Sequence, residues 1–213
     1  MNIRHIVWDW NGTLLNDKKL AVTAINILLK RYELPTITLE KYLAIFSFPV
    51  VDYYKSLGFD FDKTPFTVVG TEFIDEYTAR MFNVEMHKNA KTILKFINNR
   101  GMPQSLLSAA KQQMLDELMK FHNIDKYFST VAGLDNHYAN SKLTVGKALV
   151  KKIALPPEQI LFVGDTLHDL SVANAIGAQC VLLAHGHTNR SRLRSTGKEV
   201  FNDFNEFKNW LEI

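Results

Sequence analysis

The feature that most constrains this chain is a set of four short apolar runs, each ended by a turn or a polar cluster. They cover Ile3–Trp10, Pro103–Ser108, Ile160–Gly164 and Gln179–Ala184, with a weaker fifth at Tyr127–Ala132. The runs do not alternate between apolar and polar, which suits strands covered on both faces, as in a parallel sheet. Helical periodicity fills the intervals. Ala90, Ile93, Leu94, Phe96 and Ile97 share a face before Gly101, and Met114, Leu115, Leu118 and Met119 share one before Asn123. Val145, Ala148, Leu149 and Ile153 precede Leu155-Pro156-Pro157, and Leu170, Val172, Ala173 and Ile176 close at Gly177. Glycine and proline after the last periodic residue are helix stops. Strand alternating with helix predicts an α/β fold, a doubly wound, Rossmann-like parallel sheet.

Residues 16–84 break that rhythm. A helix is expected from about Asp17 to Tyr32, with Leu20, Ala21, Ala24, Ile25, Leu28 and Leu29 on its buried side, and Leu34-Pro35 ending it. Further helical patterns follow at Leu39–Phe46, Val50–Leu57 and Phe66–Phe82, with no strand among them. The expected division is an α/β core of residues 1–15 and 85–213, carrying an inserted α-helical cap at 16–84.

Composition narrows the function classes. The chain has 213 residues, 46% of them hydrophobic, so it can bury a core without disulfides or structural metal. Cys180 is the single cysteine, which excludes an intrachain disulfide and a cysteine-based zinc site. The net charge of +3 is spread along the chain, not gathered on a face, so no nucleic-acid partner is expected. No apolar run reaches the ~18 residues of a membrane span. The apolar start is stopped by Asp9, too early for a secretory signal, and a cytoplasmic location is expected.

The candidate chemistry sits at strand ends. The first run delivers Val7-Trp8-Asp9-Trp10-Asn11-Gly12-Thr13-Leu14. Ligands of open parallel sheets bind beyond the carboxyl ends of strands, where Asp9 would lie. Gly12 would let backbone N–H groups approach an anionic oxygen, and Thr13 adds a hydroxyl donor. A plain turn after a strand is the competing reading. The run at 160 ends in Gly164-Asp165-Thr166-Leu167-His168-Asp169, where Asp165 and Asp169 share a face as the next helix begins. Three carboxylates from two strand ends suit Mg²⁺. The bland alternative is a helix cap at Asp165 and a favoured first-turn acid at Asp169. Ser108, with the N–H of Ala109, could bind a phosphate oxygen, or cap a helix. Lys142, in the polar loop Asn140-Ser141-Lys142, could neutralise a phosphate, or be solvated.

In this order the motifs resemble the haloacid-dehalogenase-type hydrolases, and within them the phosphoglycolate-phosphatase-like branch with a helical cap. Asp9 to Leu14 is similar to the family's first motif, Ser108 to the second, Lys142 to the third and Gly164 to Asp169 to the fourth. Phe46–Pro49 and Tyr53–Gly58 are similar to the substrate-facing part of that branch's cap. The resemblance implies a Mg²⁺-dependent phosphatase for a small phosphorylated metabolite, with Asp9 as nucleophile through an aspartyl-phosphate. It implies metal ligation by Asp9, the Asn11 carbonyl, Asp165 and Asp169, and phosphate binding by Gly12, Thr13, Ser108, Ala109 and Lys142.

Asn11 departs from the pattern, because phosphatases of the family usually carry aspartate there. An amide cannot protonate a leaving oxygen or activate water, work worth roughly 10²–10⁴-fold. Three explanations compete: a good leaving group such as an acyl phosphate, a proton from His168 or the cap, or a weak or non-catalytic phosphometabolite-binding protein. Elsewhere, His185-Gly186-His187 reads as a loop with solvated imidazoles, and Arg190, Arg192 and Arg194 as solvated surface. Cys180 reads as a small buried hydrophobe and Trp10 as packing under the cap or bounding the pocket.

Overall fold

The computed structural model describes residues 2–134 and 142–212. Its sheet contains β1 (His5–Trp8), β2 (Gln104–Lys111), β3 (Thr130–Leu134), β4 (Ile160–Gly164), β5 (Gln179–Leu183) and β6 (Val200–Phe201). The order is β3-β2-β1-β4-β5-β6, and each adjacent pair is parallel. The helices are α1 (Lys18–Arg31), α2 (Leu39–Ile45), α3 (Val50–Ser56), α4 (Phe66–Thr78), α5 (Ala90–Asn99), α6 (Gln112–Phe121), α7 (Lys142–Ile153), α8 (Leu167–Ile176), α9 (Arg190–Arg194) and α10 (Phe204–Leu211). The expected α/β class and parallel sheet are what the chain forms.

The unbroken apolar runs are explained by two cores, one on each face of the sheet. Ile6 and Trp8 of β1 join Leu106, Leu161 and Val163 under α5, α6 and α10. Val7 points the other way, with Leu107, Phe162 and Leu182, against α7, α8 and α9. The period of two is present, but both sets are buried, so hydropathy does not show it. A third apolar cluster lies wholly within residues 21–73, where Ile25, Leu28 and Leu29 of α1 meet Tyr42, Tyr53, Tyr54 and Val69.

Several boundaries differ from the periodicity. The first run is in the sheet only from His5 to Trp8. Trp10 leaves it to anchor a tight loop, its carbonyl accepting from the N–H groups of Leu14 and Leu15, and its indole is fully buried in the core. The second strand runs on to Lys111 through an irregularity in its pairing with β3. The weak run at 127 starts too early, because Asp125–Tyr127 is a 3₁₀ turn and β3 begins at Thr130. β6, with two residues, is too short to leave a pattern. The last helix of the insertion stops at Thr78, short of Phe82.

Candidate active site

The sheet order reverses at β1, whose neighbours are β2 on one side and β4 on the other. The crevice at such a reversal lies beyond the carboxyl ends of the strands. Asp9 follows β1 there and Asp165 follows β4, while β2 brings Ser108 and the start of α7 brings Lys142. Residues more than 150 apart in sequence thereby meet: the Thr13 hydroxyl lies 2.7 Å from Asp165 Oδ1 and 3.1 Å from Asp9 Oδ2.

Asp9, Asp165 and Asp169 are all buried, and oxygens from the three lie within 4.8 Å of one another. Lys142 is 2% exposed and donates to Asp9 Oδ1 at 2.5 Å and Asp169 Oδ1 at 2.6 Å. A solvated lysine is therefore not what this chain has; Asn140 and Ser141, the rest of that expected loop, lie outside the described residues. One ammonium against three carboxylates leaves an uncompensated charge. Burial, with Asp169 beside it, pushes the Asp9 carboxyl well above the usual range despite Lys142. Burial likewise pushes Asp165 up to about 6. Burial also acts on Asp169, but Lys142 and Thr166 outweigh it and hold that carboxyl below its ordinary value.

The cap reading and the site reading both apply to Asp169. Thr166, not Asp165, is the N-cap of α8, and its hydroxyl and N–H both bond the Asp169 carboxylate in a capping box. That arrangement leaves Asp169 Oδ2 occupied by Thr166 and the Asp165 N–H, and Oδ1 by Lys142. Asp9 and Asp165 are engaged as well, Asp9 by Lys142 and Thr13 and Asp165 by Thr13 and the His187 N–H at 2.6 Å, and it is Asp9 and Asp169 that line the cavity. All-oxygen donors with surplus negative charge fit a hard divalent cation such as Mg²⁺. Two glycines make room around Asp165. Gly12 has φ +76°, and a Cβ there or at Gly186 would overlap the Asp165 carboxylate. Ser108 is buried in β2 and accepts from the Ala110 N–H at 3.1 Å, so it caps no helix. Ser108 and Ala109 line the same cavity as Asp9, Asn11 and Lys142.

Asn11 is held by a residue that the sequence left unremarked. Its amide donates to Asp17 Oδ2 and to the Tyr77 hydroxyl, both at 2.8 Å. Asp17 also accepts from the Gly12 N–H at 2.7 Å, from the Tyr77 hydroxyl at 2.7 Å and from His187 Nε2 at 3.1 Å. Burial opposes ionisation of Asp17, yet His187, Asn11 and Tyr77 together hold its carboxyl below the ordinary range. Burial would lower His187 as well, but Asp17 wins and lifts the imidazole to about 9.

His187 is thus not the solvated ring expected of a glycine loop: it is 5% exposed and bonds Asp17 and Tyr42. His185 stacks on His87 at 3.8 Å and bonds the Thr13 carbonyl. Arg192 departs from the solvated reading too, donating to the Leu43 and Phe46 carbonyls at the end of α2. Cys180 is buried, as expected. The glycine of His185-Gly186-His187 was the available signal, since it marks a close backbone approach.

Residues 6–183 match the family model described as haloacid dehalogenase-like hydrolase. The chain belongs to that family. A phosphoglycolate phosphatase of Aliivibrio fischeri is 24% identical over all of this chain and 96% of its own length. The pyrophosphatase PpaX of Oceanobacillus iheyensis is 25% identical over 92% of this chain and 90% of its own. Among solved structures, a haloacid dehalogenase-like hydrolase from Streptococcus pneumoniae superposes with a TM-score of 0.84 over 99% of both chains at 17% identity. At that identity the likeness is one of fold.

Proposed function

We propose that this chain is a Mg²⁺-dependent phosphatase, a phosphoric monoester hydrolase that acts on a small phosphorylated metabolite in the cytoplasm. The observation carrying this reading is the convergence of Asp9 and Asp165 beside Lys142 at the reversal of the sheet. The relatives named phosphoglycolate phosphatase and pyrophosphatase support it, since both cleave phosphorus–oxygen bonds.

Asp9, the Asn11 carbonyl and Asp165 would hold Mg²⁺, which when bound would offset the repulsion between a carboxylate and a phosphoryl group. A carboxylate oxygen of Asp9 attacks phosphorus in line, forming an aspartyl-phosphate as the ester bond breaks. Water then attacks that phosphorus and releases phosphate, regenerating the carboxylate. Lys142, oriented by Asp169, neutralises phosphoryl charge, and Ser108 and the N–H of Ala109 bind its oxygens, whereas the Gly12 N–H expected there is given to Asp17 and the Thr13 hydroxyl to Asp165 and Asp9. Asn11 positions and does not transfer protons: its amide is committed to Asp17 and Tyr77. Residues 16–84 serve as the cap that closes on the site and excludes water.

Release of phosphate from a panel of esters and acyl phosphates, with Mg²⁺ and with EDTA, tests the reading. Asp9→Asn should abolish turnover and leave the far-ultraviolet spectrum unchanged. Retention of most Mg²⁺-dependent activity by that variant would remove Asp9 as nucleophile. A weak or non-catalytic binding protein is the second reading, favoured by Asn11, and absence of turnover across the panel would select it.

A further inference from the structure

Above the carboxylates lies a cavity of about 880 Å³, shared between the helical insertion and the sheet. Its size is that of a drug-like ligand's pocket, far more than a two-carbon acid phosphate fills. The wall is aromatic: Phe46, Phe48, Tyr53, Tyr54, Phe66 and Phe73 line it. They pack against one another, Phe46 on Tyr53 at 5.2 Å and Tyr54 on Phe66 at 5.7 Å, so the surface is built as a continuous apolar sleeve.

The charge on that wall is equally informative. Among the described lining residues, the basic side chains are Lys142, His168 and His187. Lys142 is engaged by Asp9 and Asp169, and His187 by Asp17 and Tyr42. His168 stacks flat on Phe48 at 4.3 Å. A carboxylate or second phosphate on the ligand would find no free cation among the described lining residues and would face Asp17. Burying an unpaired charge is strongly unfavourable. Among the described lining residues the buried polar group without a partner is the Tyr53 hydroxyl, which suits one neutral polar atom. Asn11 adds an independent constraint, because a site lacking an acid at that position needs a leaving oxygen that departs with little proton help. Phenolic oxygens, with a pKa of about 10, meet that need better than alkyl alcohols.

We infer that the substrate is a phosphate monoester of an uncharged, apolar and preferably aromatic group, not a small dianionic acid such as phosphoglycolate. The inference rests on the phosphatase reading for placing the phosphoryl group against Asp9. It assigns Phe46, Phe48 and Tyr54 as the wall that selects the leaving group.

Calorimetric titration of the full chain with Mg²⁺ tests it, using benzylphosphonate and phosphonoacetate as non-hydrolysable probes. Benzylphosphonate should bind at least about tenfold more tightly, the discrimination expected from burying an apolar group against leaving a charge unpaired. Phe48→Ala should weaken benzylphosphonate about tenfold and phosphonoacetate less than about twofold. Equal or tighter binding of phosphonoacetate, binding of neither probe, or equal loss of both in the variant would overturn the inference. Turnover is read separately, on phenyl phosphate and phosphoglycolate. If neither ester is cleaved while the preference for benzylphosphonate holds, the phosphatase reading fails and the apolar sleeve stands. If phosphoglycolate is cleaved in preference, the phosphatase reading stands and the apolar assignment fails.

Discussion

At Asn11 the chemistry of one side chain is set by a neighbour six residues away. Asp17 accepts from the Asn11 amide, the Gly12 N–H, the Tyr77 hydroxyl and His187, so an acceptor-only group sits where a second carboxylate would otherwise have to fit. Restoring the aspartate usual in the family is then not a simple gain. Asn11→Asp brings a half-buried carboxylate to about the present 2.8 Å separation from the buried Asp17, and the two must share a proton or repel. We expect that variant to lose about 2 kcal/mol of stability at pH 8, with the deficit narrowing as pH falls and the pair takes up a proton. Thermal denaturation at pH 8 and pH 5 checks this, and a deficit that grows toward acid would contradict it. Any gain in ester hydrolysis belongs on the acid side, where the shared proton is available.

Among the elements, α1 and α4 show which contacts hold the insertion together. Leu28 is fully buried in the insertion's own core. Arg31, three residues on, is exposed and pairs with Glu72 and Glu76 of α4 at 2.9 and 2.8 Å. Leu28→Ala should cost about 2–5 kcal/mol, because a cavity opens as apolar contact is lost. Arg31→Ala should leave the denaturation midpoint almost unmoved, since exposed ion pairs are screened and cost side-chain entropy. Chemical denaturation of both variants decides the ranking, and a larger loss from Arg31 would refute it. Bonds between residues 16–84 and the rest of the chain come from different groups: Asn11 reaching Asp17 and Tyr77, Tyr42 reaching His187, and Arg192 holding the end of α2.

On the scale of the molecule, buried imidazoles and carboxylates make stability depend on pH in opposite senses. Burial lowers His5 to about 4, His87 to about 3 and His185 to about 4. Each depressed histidine contributes stability that is present above the unfolded value of about 6.5 and lost as pH falls toward its folded value. His187, lifted to about 9, contributes stability present below 6.5 and lost as pH rises through 9. Melting temperature measured from pH 4 to 9.5 should therefore fall on both flanks, and an unchanged acid flank would count against the burial of the three neutral rings. Asp165, raised to about 6 mainly by burial, loses its stabilising proton as pH rises through that value. Mg²⁺ should accordingly raise the melting temperature more at pH 8 than at pH 5, with EDTA reversing the effect. An increment independent of pH would argue against cation binding at these carboxylates.

The sequence by itself determined the class of fold, and it marked Asp9, Asp165 and Asp169, which the structure brings together. Continuous apolar strands, periodic helices and an aspartate beyond each of two strand ends are local features, readable wherever the chain's own neighbours dictate conformation. The insertion's helices were legible for the same reason, within a residue or a few of their ends. Tertiary structure decided what those groups touch. Whether Lys142 was solvated or bound to Asp9 and Asp169, and whether His187 faced water or Asp17, depends on residues 133 and 170 positions apart meeting in space. Neither propensity nor hydropathy contains that separation. Asp17 escaped notice because an acid before a helix reads as an ordinary start signal, although its side chain makes no cap bond and turns instead to Asn11. The electrostatic balance of the site comes from the packing of the sheet and its insertion, because charge in a low-dielectric crevice depends on distance and burial, which only the fold supplies.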